Sequence, residues 1–453
     1  MITRIDKEIP QEKIRMSADS DFFGYALWGI FALTLFSGIF TAVYYIPSFA
    51  QAFSAVERLE EQVPFGWLIR RAHGAGGNFF LILMFVYLLR VFYGGEYKIG
   101  SRAGWVLGLL SLFLTLWTNF SGFFLPLSQA AFWGTSLVLS NLSSVPWVGS
   151  FAVDFIRGGK ELGGSALIRL YSMHLGFSAL IALLLFWHRR LKFAGRETEG
   201  GDPQSFKGAL FAAAVAGILL ACVTFVPGWF SDPLKEAANP MISPERVSPP
   251  WYFFFLEETL KFFARDYPSW SLVLAALVAF LIFFLAHIDR NPERSLLNRP
   301  LALGLGAAFL VVLVYFSLVG MANARYGEKI ILPDKSLSAQ EGRGAVVFAE
   351  KNCAYCHQVF GREGRREGPD MTVVRERRRS PEWVQRFILN ARVYQPGTTM
   401  PRYEISLEDL EALSAYLLSL GSQGNKFFAV DRKQFLDYAP FLQFRGAGGE
   451  GGR

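Results

Sequence analysis

One apolar stretch, Tyr171–Arg190 (YSMHLGFSALIALLLFWHRR), constrains this chain more than any other, because it carries a histidine near each end. His174 and His188 are fourteen residues apart. At about 100° per residue that is just under four helical turns, so both imidazoles leave the helix on nearly the same face. Along the axis they are separated by roughly 21 Å, at about 1.5 Å rise per residue. An imidazole in hydrocarbon costs several kcal/mol unless it has a partner. Two on one stripe, near opposite membrane surfaces, suggest two stacked metal centres. The plainer alternative is two interfacial histidines, with His188 snorkelling beside Arg189 and Arg190.

The stretch is one of seven apolar runs long enough to cross a hydrocarbon core of about 30 Å. They lie near Phe23–Ile46, Gly76–Tyr93, Gly104–Leu125, Leu170–Arg190, Gly208–Pro227, Trp270–His287 and Leu301–Met321. With 52% hydrophobic and 16% aromatic residues, the 453-residue chain reads as a membrane protein carrying some soluble mass. The expected fold class is all-α, a seven-helix transmembrane bundle of four plus three helices followed by a small helical soluble domain. The short connections after the second, fourth and sixth runs are basic, carrying Lys98 and Arg102, then Arg189, Arg190, Lys192 and Arg196, then Arg290, Arg294 and Arg299. The positive-inside rule then places the N-terminus in the cytoplasm and the C-terminus outside. The polar first twenty-one residues lack the apolar core of a cleaved signal peptide. Two aromatic segments in the outer connections, Ala130–Leu142 and Pro250–Phe263, are expected as helices along the membrane surface.

Gly/Pro-rich joints divide the chain into 1–195, 196–325, a soluble domain at 326–421 and a tail at 422–453. The net charge of +7, much of it after residue 340, suits membrane surfaces or acidic partners. No nucleic-acid motif is present. Three cysteines do not make a disulfide framework, and Cys222, alone in the fifth run, reads as a small core residue.

The soluble domain carries Cys353-Ala-Tyr-Cys356-His357, a CxxCH sequence and hence a covalent haem c attachment site. Both sulfurs bond to the haem and His357 is the proximal iron ligand. The second axial ligand is expected to be Met400, in the loop GTTMPRY, in preference to Met371 in its arginine-rich setting. Of the five histidines, this leaves His73 and His174 at similar depth on the outer side of the second and fourth runs, able to clamp one haem iron between two helices. Gly74, Gly76 and Gly77 are expected to let a flat macrocycle approach the backbone. His188 would serve a second haem near the cytoplasmic face, but the position fourteen residues after His73 is Tyr87.

The pieces RRAHGAGGNFF, GFFLPLSQAAFWGTSLVLSNLSSVPWVG, RGGKELGGSALIRLYSMH and the paired histidines resemble cytochrome b of the respiratory bc and photosynthetic bf complexes. Residues 208–321, with PPWY at Pro249–Tyr252 and RNPERSLLNRP at Arg290–Pro300, are similar to subunit IV of the bf type. The third part resembles a class I monohaem cytochrome c.

The resemblance implies a quinol–cytochrome c oxidoreductase of the translocase class, in a bacterial cytoplasmic membrane. It implies one or two non-covalent haems b, one haem c and a quinone substrate. Quinol is oxidised at an outer site whose matching positions here are Gly122, Trp133, Gly134, Pro249, Trp251 and Tyr252. A planar quinone head needs such aromatic walls and few polar anchors. One electron leaves through a Rieske iron–sulfur protein and the other crosses through two haems b to an inner quinone site; the alternative is a quinone-linked conduit without bifurcation, with only one functional haem b. No Rieske motif occurs in this sequence, so that protein is expected as a partner, with other cytochrome c subunits and a dimeric complex by resemblance. Two departures matter. The proton-accepting glutamate of PEWY is Pro250 here, and Glu257 and Glu258 are candidates to replace it as catalytic acids beside Trp251 and Tyr252. At the second haem, Tyr87 could ligate as phenolate, His188 could hold the iron alone, a partner chain could contribute, or the haem could be missing. His287, Arg189 and Asp289 are candidates for an inner quinone site. The start of the first helix, Phe22–Tyr25, has no cysteine for a further covalent haem.

Overall fold

The computed structural model describes residues 22–98, 102–143, 145, 147–159, 161–193, 203–230, 234–241, 248–263, 277–278, 280–289, 291–323, 328–364, 368–377, 379–395, 398–421 and 426–441. Its membrane part contains α1 (Phe22–Tyr44), α2 (Ala52–Gln62), α3 (Gly66–Tyr93), α4 (Arg102–Phe124), α5 (Gln129–Ser143), α6 (Gly149–Arg157), α7 (Gly164–Phe193), α8 (Pro203–Phe225), α9 (Pro227–Phe230), α10 (Phe254–Phe263), α11 (Leu285–Ile288) and α12 (Pro300–Asn323). Among the described residues six helices, α1, α3, α4, α7, α8 and α12, are long and apolar enough to span a membrane. The expected seventh, Trp270–His287, lies largely on residues outside the described set. The spanning helices are apolar all round, and much of their outer surface is exposed hydrophobic side chain, such as Phe36, Ile39, Leu183, Leu301 and Val311. That is the surface a helix offers to lipid.

Within the first bundle α1 packs on α3 and α4 on α7, while α8 lies on the back of α1. The α1–α8 crossing is close because Gly29 has no side chain: a Cβ there would lie 2.3 Å from the Ala212 carbonyl oxygen. Both expected surface helices form, one as α5 and the other as a 3₁₀ turn at Trp251–Phe253 running into α10. The amphipathic helices α2 and α6 were not anticipated.

The soluble domain holds β1 (Lys329–Pro333), α13 (Ala339–Glu350), α14 (Cys353–Cys356), α15 (Val373–Glu376), α16 (Pro381–Leu389), α17 (Ala391–Tyr394), α18 (Leu407–Ser419), β2 (Phe427–Asp431) and α19 (Arg432–Tyr438). Helix α13 starts on a capping box between Ser338 and Glu341, and α18 on the Ser406 side chain. They cross tightly at Gly344, where a Cβ would sit 2.1 Å from the Ala412 carbonyl oxygen. The core gathers Ile331, Val347, Phe348, Leu413, Tyr416 and Phe435.

Here the structure departs from the expected linker and tail. Strands β1 and β2 pair antiparallel, Ile331 opposite Ala429, and Phe435 enters the core. The segment read as a tail therefore closes the soluble domain along its entry strand. Five-residue strands joined across nearly a hundred residues leave no local hairpin signal to read.

The soluble domain rests on one end of the first bundle. Glu161 accepts from Arg402 at 2.6 Å and lies 3.6 Å from Arg392. Tyr355, between the two cysteines, is 2% exposed and belongs to a cluster with Phe120, Phe132, Trp133 and Leu139.

Candidate functional site

Helices α3 and α7 bring His73 and His174 together with ring centroids 6.0 Å apart and planes at 71°. Each ring is held from behind. His73 Nδ1 donates to the Thr34 carbonyl at 2.9 Å, and His174 Nδ1 to the Thr118 carbonyl at 2.9 Å. A carbonyl only accepts, so Nδ1 carries the proton on both rings and each Nε2 keeps its lone pair. Glycine clears the space beside each ring. A Cβ on Gly38 would lie 2.7 Å from His73 Cε1, and one on Gly122 2.8 Å from His174 Cε1. The glycines singled out near His73 behave differently from expectation: Gly76 makes room for Thr34, Gly77 for Asn119, and only Gly74 faces open space.

About fourteen residues deeper the arrangement changes. His188 Nδ1 again donates to a backbone carbonyl, that of Gly104 at 2.9 Å. Its Nε2 is engaged by the Tyr87 hydroxyl at 2.7 Å, with ring centroids 5.6 Å apart.

In the soluble domain Cys353 and Cys356 sit on the single turn α14, with His357 directly after it. His357 Nδ1 donates to the Pro369 carbonyl at 2.8 Å. Burial, partly offset by that hydrogen bond, lowers the imidazole below its ordinary pKa and keeps it neutral, as an iron ligand must be. Gly368 lies flat against the ring, where a Cβ would fall 2.1 Å from Cε1. Met371 is buried in the domain core, whereas Met400 packs only at its edge, in the loop before α18.

The expected outer site is assembled from two distant segments. Gly134 on α5 allows the Ser248 carbonyl to approach, since a Cβ would meet it at 2.5 Å. Tyr252 and Phe253 pack against the cluster of Phe120, Phe124 and Leu127 at the end of α4. Phe120 meets Phe253 edge-on at 5.5 Å, Tyr252 joins the same cluster, and the Trp251 indole donates to Asn78 Oδ1 at 2.9 Å. The buried Trp133 indole nitrogen has no acceptor among the described residues.

Comparison with known proteins matches this layout piece by piece. Residues 17–192 match the model of the cytochrome b/b6/petB family, 237–333 that of the cytochrome b C-terminal/b6/petD family, and 342–421 that of the cytochrome c family. The chain belongs to the cytochrome b/b6 family and carries a cytochrome c domain. Its fold is similar to a solved chain described as a hyperthermophilic respiratory Complex III, with TM-score 0.58 and 24% identity over 66% of this chain and 83% of that one.

In this cytochrome b the His73–His174 pair fits a bis-imidazole haem b. Two imidazoles on one iron, each bonded at about 2 Å, put their ring centres about 6 Å apart, and 6.0 Å is what the pair shows. Both lone pairs are of the ligating kind. In the cytochrome c domain the CxxCH turn, the oriented neutral His357 and the space left by Gly368 suit haem c.

Other candidates of this cytochrome b are placed elsewhere. Glu257 and Glu258 are not wet surface acids: each is 2% exposed. Lys261 bonds Glu257 and, at 3.4 Å, Glu258, whose other oxygen accepts from Asn323 on α12 at 2.7 Å. The group lies in the α10–α12 interface. Asp289 is held by the Tyr97 hydroxyl and by Lys98 at 2.9 Å, with Arg299 donating to Tyr97 at 2.7 Å. Arg189 lies over the Tyr25 ring and His287 beside Phe284. Gly122, grouped with the quinone positions, is taken up with clearance for His174. Thr34, Gly38, Thr118 and Asn78 were missed. None stands out in an apolar helix, because three act through a backbone carbonyl or a missing side chain.

Proposed function

We propose that the chain is the membrane core of a quinol:cytochrome c oxidoreductase in a bacterial cytoplasmic membrane, with its cytochrome c domain on the outer face. Quinol is oxidised against Trp133, Gly134, Pro249, Trp251 and Tyr252, and electrons leave towards the outer side, with a Rieske iron–sulfur protein as partner. The haems, when bound, supply one-electron carriers at His73–His174 and at His357.

One turn of α4 carries this reading. Phe120 touches the Pro249–Phe253 segment through Phe253, while Ser121 and Gly122 touch His174. A flat substrate seated on the aromatic wall is thus within one helical turn of an iron ligand. The Trp133 indole offers a buried donor suited to a quinone oxygen, since an unpaired N–H there is costly. Trp251 is steered by Asn78, five residues after His73, which ties the other end of the wall to the same haem pocket. Glu258 ties α10 to α12 through Asn323 and Glu257 is held by Lys261 on its own helix, and both stay candidates for the quinol proton in place of Pro250. The docked Tyr355 and the Glu161 contacts support a second redox site over this same face.

The test is quinol-dependent reduction of haem c in the complex purified with its iron–sulfur partner. Trp251→Ala is expected to lower the rate at least ten-fold with both haem types retained. Full activity in Trp251→Ala, or no quinol-dependent reduction in the intact complex, would sink the reading.

A further inference from the structure

We propose that the inner end of the four-helix bundle carries no haem b, because the Tyr87–His188 hydrogen bond occupies the place of an iron. The inference rests on the reading of His73–His174 as the outer haem b site. Were iron to bridge the Tyr87 oxygen and His188 Nε2, two bonds of about 2 Å would hold those atoms about 4 Å apart. They are 2.7 Å apart, in direct contact.

The surroundings differ from the outer pair in the same sense. Gly122 and Gly108 are spaced by fourteen residues on α4 and face His174 and His188, themselves spaced by fourteen on α7. At Gly122 the nearest neighbour of an added Cβ is the imidazole itself, at 2.8 Å. At Gly108 it is Leu88 Cδ2, at 2.8 Å, and His188 Cε1 stands off at 3.9 Å. Leu88 therefore covers the glycine surface beside the inner histidine. Tyr87 is 4% exposed and packs with Met84, Val91, Trp105, Ile181 and Leu185 in one apolar core. The inner site keeps the glycine and the oriented histidine of a haem pocket, with side chains filling it. A single haem b leaves a gap of roughly 21 Å to the inner level, by helical rise. The chain then has no iron stepping stone to the cytoplasmic surface, and both quinol electrons depart on the outer side.

Pyridine haemochrome analysis of the full-length chain, in membranes and after purification, tests this. The expected b:c ratio is one to one, unchanged in His188→Gln. A ratio of two to one in the wild type, or halved haem b in His188→Gln, overturns the proposal. Should His188→Gln fail to assemble, redox titration of the wild-type chain decides: one b-type wave supports it and two overturn it. A ratio near zero would instead sink the His73–His174 assignment, leaving the inner site as described.

Discussion

Gly38→Ala is a one-carbon change in α1 that reaches the iron site through His73. The new Cβ would sit 2.7 Å from His73 Cε1. Carbon atoms in contact settle at about 3.5 Å, so the imidazole must retreat by about 0.8 Å or α1 must move. Metal–ligand bonds hold their length to about 0.2 Å, so a retreat several times larger breaks ligation. Moving α1 instead costs about 1–3 kcal/mol, as overpacking does. His73 is also tied to the Thr34 carbonyl on the same helix, which restricts its escape. The expected outcome is a b:c ratio below half that of wild type, with the covalent haem c as internal standard. Gly74→Ala is the control: it borders His73 in sequence, yet nothing lies within 4 Å of its added Cβ. Full haem b in Gly38→Ala, or equal loss in both variants, would refute the clearance argument.

Lys261→Met should destabilise the α10–α12 joint by about 3–5 kcal/mol, because it strips the cation from two buried carboxylates; thermal unfolding in detergent measures it. Met400→Leu should lower the midpoint potential of haem c while Met371→Leu leaves it in place, by redox titration. For Asp289, burial pushes the carboxyl up, but the Tyr97 and Lys98 hydrogen bonds outweigh it and hold its pKa below the ordinary value. A depressed folded-state pKa adds stability above the unfolded value, near 4, that is lost as pH falls through the folded one; Asp289→Asn should flatten that acid limb of the melting curve. Glu161→Ala removes a half-exposed ion pair to Arg402, worth at most about 1 kcal/mol, so protease sensitivity of the connection to the soluble domain should rise less than about five-fold and only at low salt.

The elements that carry their signal within themselves were legible in the sequence. The spacing of His174 and His188, the CxxCH turn and six of the seven apolar runs each need only local residues, and among the described residues each stands where it was expected. Contacts between distant segments were not legible. Glu257 and Glu258 read as candidate proton acceptors because Asn323, which donates to Glu258 across the α10–α12 interface, lies sixty-five residues away from it. Gly38 in FSGIF reads as a tolerated helix glycine until α3 places an imidazole against it. The helices themselves run longer than hydropathy suggested: α3 begins at Gly66 and α7 at Gly164, since polar first turns with Arg70, Arg71 and Arg169 fall outside an apolar window. Tyr87 was visible as a departure, but only its hydroxyl on Nε2 separates ligation from replacement.

Strand β1 has one more implication. Asn323 ends α12 and Glu328 already bonds through its carbonyl to Arg432, at the foot of the strand pair. Five peptide steps, at most about 18 Å when fully drawn out, are therefore the whole leash between bilayer and soluble domain. A domain on so short a connection stays close to the bundle, so any redox partner of its CxxCH turn has to come to it.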